Sequence, residues 1–214
     1  MGTRHLIAVH SDGEYKVAQY GQWDGYPSGQ GVDVLTFLKD PDNISKLKEN
    51  LKRVRFIDSE KDKEFLDEYD KNCPQYYGDP ETRTPEQIHW FESYITRDLG
   101  AKILGSIANS TDSEILLRNH ISFAADSLFC EWAYVVDLDK NTLEVYKGFN
   151  KTELDESERF YGYTNEEGMG SEKYTPVRHI KTYSLDDLPE QDVFENDLKI
   201  IFMKMILRED EDEE

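Results

Sequence analysis

Cysteine is scarce: Cys73 and Cys130 are the whole complement of 214 residues. That excludes a disulfide scaffold, and it leaves no Cys-x-x-Cys pair for zinc or thiol exchange. No apolar run approaches the roughly 18 residues needed to span a bilayer. Basic residues are also few, with Lys and Arg numbering 25 against 45 Asp and Glu, for a formal charge of −20. A field of that sign repels phosphate backbones and anionic lipid, so neither general nucleic-acid binding nor membrane-surface binding is expected. The first ten residues lack the apolar core of a signal peptide, and Leu6 stands where a myristoylation signal needs Ser or Thr. Free thiols in a reducing, cytoplasmic setting are the expectation.

Aromatic residues are not scarce. Tyr, Phe and Trp make up 12% of the chain, and each buried ring removes about 150–250 Å² from water. A core can therefore form although the chain as a whole is polar.

The pattern along the chain predicts two hairpins. In the first, His5 to His10 turns at Ser11-Asp12-Gly13 and returns over Glu14 to Gly21; the second runs from Phe129 to Leu138, turns at Asp139-Lys140-Asn141 and returns from Thr142 to Gly148. Helices are expected over Val32–Leu38, over Ile44 to about Arg55, briefly over Glu64–Tyr69, and from Leu188 to Leu207. A further helix should start at Thr84, where Thr84 and Gln87 form a capping box with Pro85 in the first position. A short strand is expected around Ile180–Tyr183. Residues 150–178 are long, polar and without clear periodicity, as in a mobile loop or lid. The acidic run Glu209 to Glu214 opposes the helix dipole and should be a disordered tail, leaving residues 1–208 as a single domain. The fold class that follows is α+β: a layered sandwich of antiparallel sheet, made by the two hairpins and covered by helices. Such layering is compatible with the sandwich of N-terminal-nucleophile hydrolases.

The most unusual segment is Gln22-Trp23-Asp24-Gly25-Tyr26-Pro27-Ser28-Gly29-Gln30-Gly31, at a strand-to-helix junction. Amides at such a junction can hold an anion, and aromatics can wall a pocket. Thr3, Arg4, Gln22, Trp23, Asp24, Tyr26 and Gln30 are the candidate ligand-binding residues. Asp24-Gly25 equally fits a tight turn, with Trp23 and Tyr26 packed into the core. Neither a P-loop nor a dinucleotide fingerprint is present.

The N-terminal stretch from Met1 to Val9, taken with Tyr20 to Gly31, resembles a group of uncharacterised proteins from phages, bacteria and fungi. Their shared mark is a Trp-Asp-Gly-Tyr-Pro segment after an N-terminal hairpin. The likeness extends more loosely to Trp132–Leu138 and implies no activity.

A nucleophilic Thr3 on the first strand is conceivable, but removal of Met1 would expose Gly2, so a further cleavage would be needed. No metal is expected, because the five histidines are dispersed and His5 and His10, five apart on a strand, face opposite sides. No cofactor is expected either. Cys130 reads as a buried structural thiol, and the basic face of Lys46 to Arg55 as a solvated one. Two readings of function remain. One is a small-molecule- or nucleotide-binding protein, hydrolysis included, with its pocket at residues 20–31. The other is a non-enzymatic acidic protein, of the kind a phage directs at its host, that blocks a basic partner surface.

Overall fold

The computed structural model describes residues 2–72, 84–85, 96, 99–164 and 174–212. Its first hairpin is β1 (His5–Ser11) and β2 (Glu14–Gly21). Asp12 and Gly13 both take positive φ, 56° and 79°, the geometry a two-residue hairpin turn needs to match strand twist. After the Trp23–Gly31 loop come α1 (Val32–Leu38) and α2 (Pro41–Asn50). Asp40 caps α2 by accepting from the Asp42 amide at 2.9 Å, with Pro41 in the first turn.

Next follow β3 (Val54–Phe56), α3 (Lys63–Asn72), α4 (Lys102–Ala108) and β4 (Ile115–Leu117). The second hairpin is β5 (Trp132–Asp137) and β6 (Thr142–Lys147), and the chain continues with β7 (Arg178–Ser184) and α5 (Gln191–Asp212).

The fold is α+β. Five strands form one sheet in the order β2-β1-β5-β6-β7, and β3 with β4 forms a small parallel pair. The two hairpins do share a sheet, but they join through a parallel contact, His5–His10 beside Trp132–Asp137. The sheet is therefore mixed rather than wholly antiparallel. Among the described residues there is no second large sheet, which an N-terminal-nucleophile sandwich would require.

Both faces of the sheet are covered, so β1 and β5 read as near-continuous apolar runs. On one face, Ile7, Val9, Tyr134, Val136, Leu143 and Val145 pack with Leu35 and Leu38 of α1, Leu47 of α2, Leu104 and Ile107 of α4, and Phe194 and Leu198 of α5. On the other face, Leu6, Ala8, Ala133, Val135 and Tyr146 meet Ala124, Cys130, Leu154, Phe160 and Val177. Cys130 is fully buried, and burial raises its thiol pKa well above the ordinary value.

Several expectations are revised. The helix expected to reach Arg55 stops at Asn50, whose side-chain amide donates to the carbonyls of Ile107, Ala108 and Ser110 at 2.8, 3.0 and 3.2 Å. This satisfies the open end of α4. The chain then turns extended into β3, which is half-buried against β4. Of the stretch expected as a mobile loop or lid, residues 150–164 and 174–177 pack on the second face of the sheet, with Phe160 and Val177 fully buried, and residues 165–173 lie outside the described residues. Asn150 ties both ends of that segment together, its amide donating to the Thr152 carbonyl, Thr175 Oγ1 and the Pro176 carbonyl within 2.9 Å. The last helix runs on to Asp212, into the run expected to be disordered. Glu is a good helix former, and the dipole penalty is screened and confined to the last turn. The helix expected from Thr84 lies largely outside the described residues.

Candidate functional site

The Trp23–Gly31 loop is built from its own backbone. Asp24 sits at φ +56°, and its carbonyl accepts from the Gln30 amide at 2.9 Å. The Gly25 amide donates to the Thr3 carbonyl at 3.0 Å, while the Gly25 carbonyl accepts from the buried Tyr134 hydroxyl at 2.9 Å.

The candidate residues divide accordingly. Thr3 is 3% exposed and anchors the loop through its carbonyl. Arg4 stacks its guanidinium 4.9 Å from the Phe129 ring. Gln22 accepts from the Tyr20 hydroxyl at 2.7 Å. Gln30 turns away, its Oε1 accepting from the Ala101 amide at 2.6 Å. Trp23 and Tyr26 are about half exposed rather than packed in the core. Of the seven, Tyr26 lines the largest described cleft.

That cleft, about 860 Å³, lies between the Tyr26–Ser28 turn, the Trp132 and Lys147 end of the sheet, and α5. Trp132 and Lys147 are register partners on β5 and β6, so their side chains leave the same face together. The chain must then pass close beneath Cys130: a Cβ on Gly148 would lie 2.1 Å from the Cys130 carbonyl oxygen, which only glycine avoids. Phe149 follows in the left-handed region, at φ +59°, and its ring comes to 4.5 Å from Lys147 Nζ. Trp132 stands at 5.1 Å and Phe202 of α5 at 5.2 Å from the same atom, and Nζ donates to the Glu131 carbonyl at 3.2 Å. The result is a cation–π cage around a residue that is only 4% exposed. Glu131, Glu190, Asp192 and Glu195 line the same cleft, with Lys199 as a second cation. Glu190 is paired to Lys39 at 2.6 Å.

Sequence reasoning missed this arrangement, because Trp132, Lys147, Phe149 and Phe202 meet only through sheet register and helix packing. The one usable signal was the aromatic richness around the second hairpin.

A second, polar cleft of about 650 Å³ opens on the opposite face of β6, around His10, Glu144, Arg159 and His179. Its central charges, Asp137, Glu144 and Arg159, are matched to one another. Arg159 grips Glu144 through Nε and Nη2, at 2.6 and 2.9 Å, and also bonds Asp137. Tyr146 donates to the same Glu144 carboxylate. Burial pushes the Asp137 and Glu144 carboxyls up. The Lys140 amide and Arg159 at Asp137, and Arg159 and Tyr146 at Glu144, outweigh it and hold both below their ordinary values.

At its edge His10, Asp137 and Asp139 bring ligating atoms within 4.8 Å of one another, the one such group among the described residues. Their oxygens already serve as turn clasps: Asp139 accepts from the amides of Asp12 and Gly13, and Asp137 from those of Asp139 and Lys140. The bulge between β1 and β2 falls at Lys16 of β2, so β1 alternates without interruption beside β5, and His5 and His10 face opposite sides of the sheet as expected.

His5 is a further residue passed over in sequence. It is 1% exposed beneath the loop, and burial lowers its pKa to about 4, so the ring is neutral at pH 7.

Comparison with protein-family models, with curated proteins and with solved structures found no match to this chain. No helix among the described residues is long and apolar enough to cross a membrane.

Proposed function

We propose that this protein binds a small molecule in the cleft between Tyr26, Lys147 and α5, in a cytoplasmic setting. The observation that carries the reading is the caged Lys147: a cation held among three aromatic rings on the wall of an 860 Å³ cleft. Small-molecule sites commonly have such a volume, with aromatic walls and a few polar groups. A flat, ring-bearing ligand would stack against Trp132, Phe149 and Phe202. The carboxylates of Glu131, Asp192 and Glu195 favour a neutral or cationic outer edge and work against a polyphosphate. This narrows the earlier nucleotide option. The lining has two hydroxyl-bearing residues, Tyr26 and Ser28, and no histidine or cysteine to activate either, so binding rather than hydrolysis is the activity proposed.

Native mass spectrometry of the purified protein, with a thermal-shift screen of ring-bearing amines and neutral heterocycles, tests the reading. A retained or stabilising compound that is lost with Lys147→Met or Phe149→Ser supports it. A ligand unaffected by both substitutions, or no ligand across the screen, overturns it.

A further inference from the structure

The last helix, α5, carries apolar residues on opposite faces. Phe194 and Leu198 are fully buried in the core. On the far side Val193, Ile200, Met203 and Leu207 stand 49, 43, 54 and 61% exposed. Their spacings of seven, three and four residues follow a heptad seam, with Asn196 at the remaining seam position. A helix that is apolar all round ordinarily has cover on both sides, and here one side is bare. A single exposed Leu means little, whereas a contiguous stripe along more than three turns marks an interaction surface.

Charge identifies the kind of cover. At helical spacing, Asp192 and Lys199 flank one side of the stripe, and Glu190, Asp197 and Lys204 the other, with Glu190 paired to Lys39 and Asp197 to Lys181. Beyond Arg208 the sequence is acidic through Glu214. That run makes the far end of the seam acidic and Asp192 adds an acid at its start, with single lysines near its middle. Two copies of a chain of formal charge −20 repel one another. Self-pairing in antiparallel register would also set the acidic end of one seam against the acidic start of the other. A basic partner relieves both penalties.

We propose that the outer face of α5 docks an amphipathic helix of a partner protein, with apolar seam residues against Val193, Ile200, Met203 and Leu207 and Lys or Arg flanking that seam toward its ends. The polar Asn196 in the seam fixes the register of docking at some cost in affinity. Ile200, Met203 and Leu207 lie outside the cleft lining, while Asp192, Asn196 and Lys199 belong to both surfaces; the inference does not require a ligand in the cleft.

The test uses two designed helical peptides with identical leucine seams, one flanked by Lys and one by Glu, titrated against the full-length protein by fluorescence anisotropy. The Lys peptide should bind, at least tenfold tighter than the Glu peptide, and weaken as salt rises. The Ile200→Ser/Met203→Ser variant keeps every charge, so non-specific attraction is unchanged, yet binding should fall at least tenfold. Leu207→Ser, near the helix end, gives a second and milder variant should the first not fold. Lys147→Met should leave peptide binding intact. Failure of the Lys peptide to bind, or equal binding to the Ser variants and the parent, overturns the proposal. So does a parent dimer that the same substitutions dissociate, which would make a second copy the occupant.

Discussion

The two faces of the central sheet solve the same problem differently. On one, helices cover the strands with large aliphatic side chains, and Lys147 is caged by three rings at the margin beside the cleft. On the other, irregular chain from residues 119–130, 150–164 and 174–177 does the covering. There a cation, Arg159, is locked between two carboxylates, Asp137 and Glu144, that are 1% and 6% exposed. Strand β6 serves both faces by alternation: Leu143, Val145 and Lys147 point one way, Glu144 and Tyr146 the other. The difference teaches how each face holds a buried cation: Arg159 by two carboxylates, Asp137 and Glu144, and Lys147 by three rings and the Glu131 carbonyl.

The largest expected effect comes from breaking the ion network. Among the described Lys and Arg, Arg159→Met leaves the two buried carboxylates with only the exposed Lys140, 3.8 and 3.7 Å away. It should cost about 3–5 kcal/mol, read from urea unfolding at pH 7. The parent's own network should weaken in acid. Asp137 and Glu144 have folded pKa values below their ordinary 3.8 and 4.5, so their stabilisation is complete above those values and lost as pH falls below them. In Arg159→Met the sign should reverse, with acid relieving the poorly compensated carboxylates; a variant that loses stability in acid as steeply as the parent would contradict this account of the network.

Next, Phe160→Ala and Phe194→Ala remove one fully buried ring from each cover. Each should cost about 3–5 kcal/mol. A Phe160 loss far below that of Phe194 would show that the irregular cover is only loosely packed.

The His5 effect is somewhat smaller. The unfolded ring takes a proton near 6.5 and the folded one only near 4. Stability is therefore full above pH 6.5, falls progressively between 6.5 and 4, and the total loss is about 3 kcal/mol. His5→Gln should flatten the unfolding free energy over that window, which lies above most of the carboxylate effect. An unchanged slope would place the titration elsewhere.

Smallest of all, Lys147→Met should shift stability by less than about 1 kcal/mol, since the methionine stem keeps the ring contacts. If Lys147 proves as costly to lose as Arg159, the distinction between a cation held by carboxylates and one held by rings collapses.

Much of the fold was legible before any coordinates. Both hairpins, the first short helix, the strand near Ile180 and the buried thiol at Cys130 follow from alternation, turn chemistry and spacing, which act between near neighbours. The cover at 150–164 was not legible, because Leu154 and Phe160 carry no period and are buried only by what lies above them. The candidate site was legible in one residue, Tyr26. Among its companions, Thr3 bonds the Gly25 amide, Asp24 bonds the Gln30 amide, and the Gln30 side chain bonds Ala101.

The sequence by itself determined the local pieces and the sign of the field around them: strands that alternate, helices with caps, and an excess of acid. Tertiary structure alone decided that β1 lies parallel to β5, that Trp132 and Lys147 come into register, and that Phe202, 55 positions beyond Lys147, completes the cage. Those contacts depend on which faces meet across distant stretches of chain, and no local propensity encodes that choice.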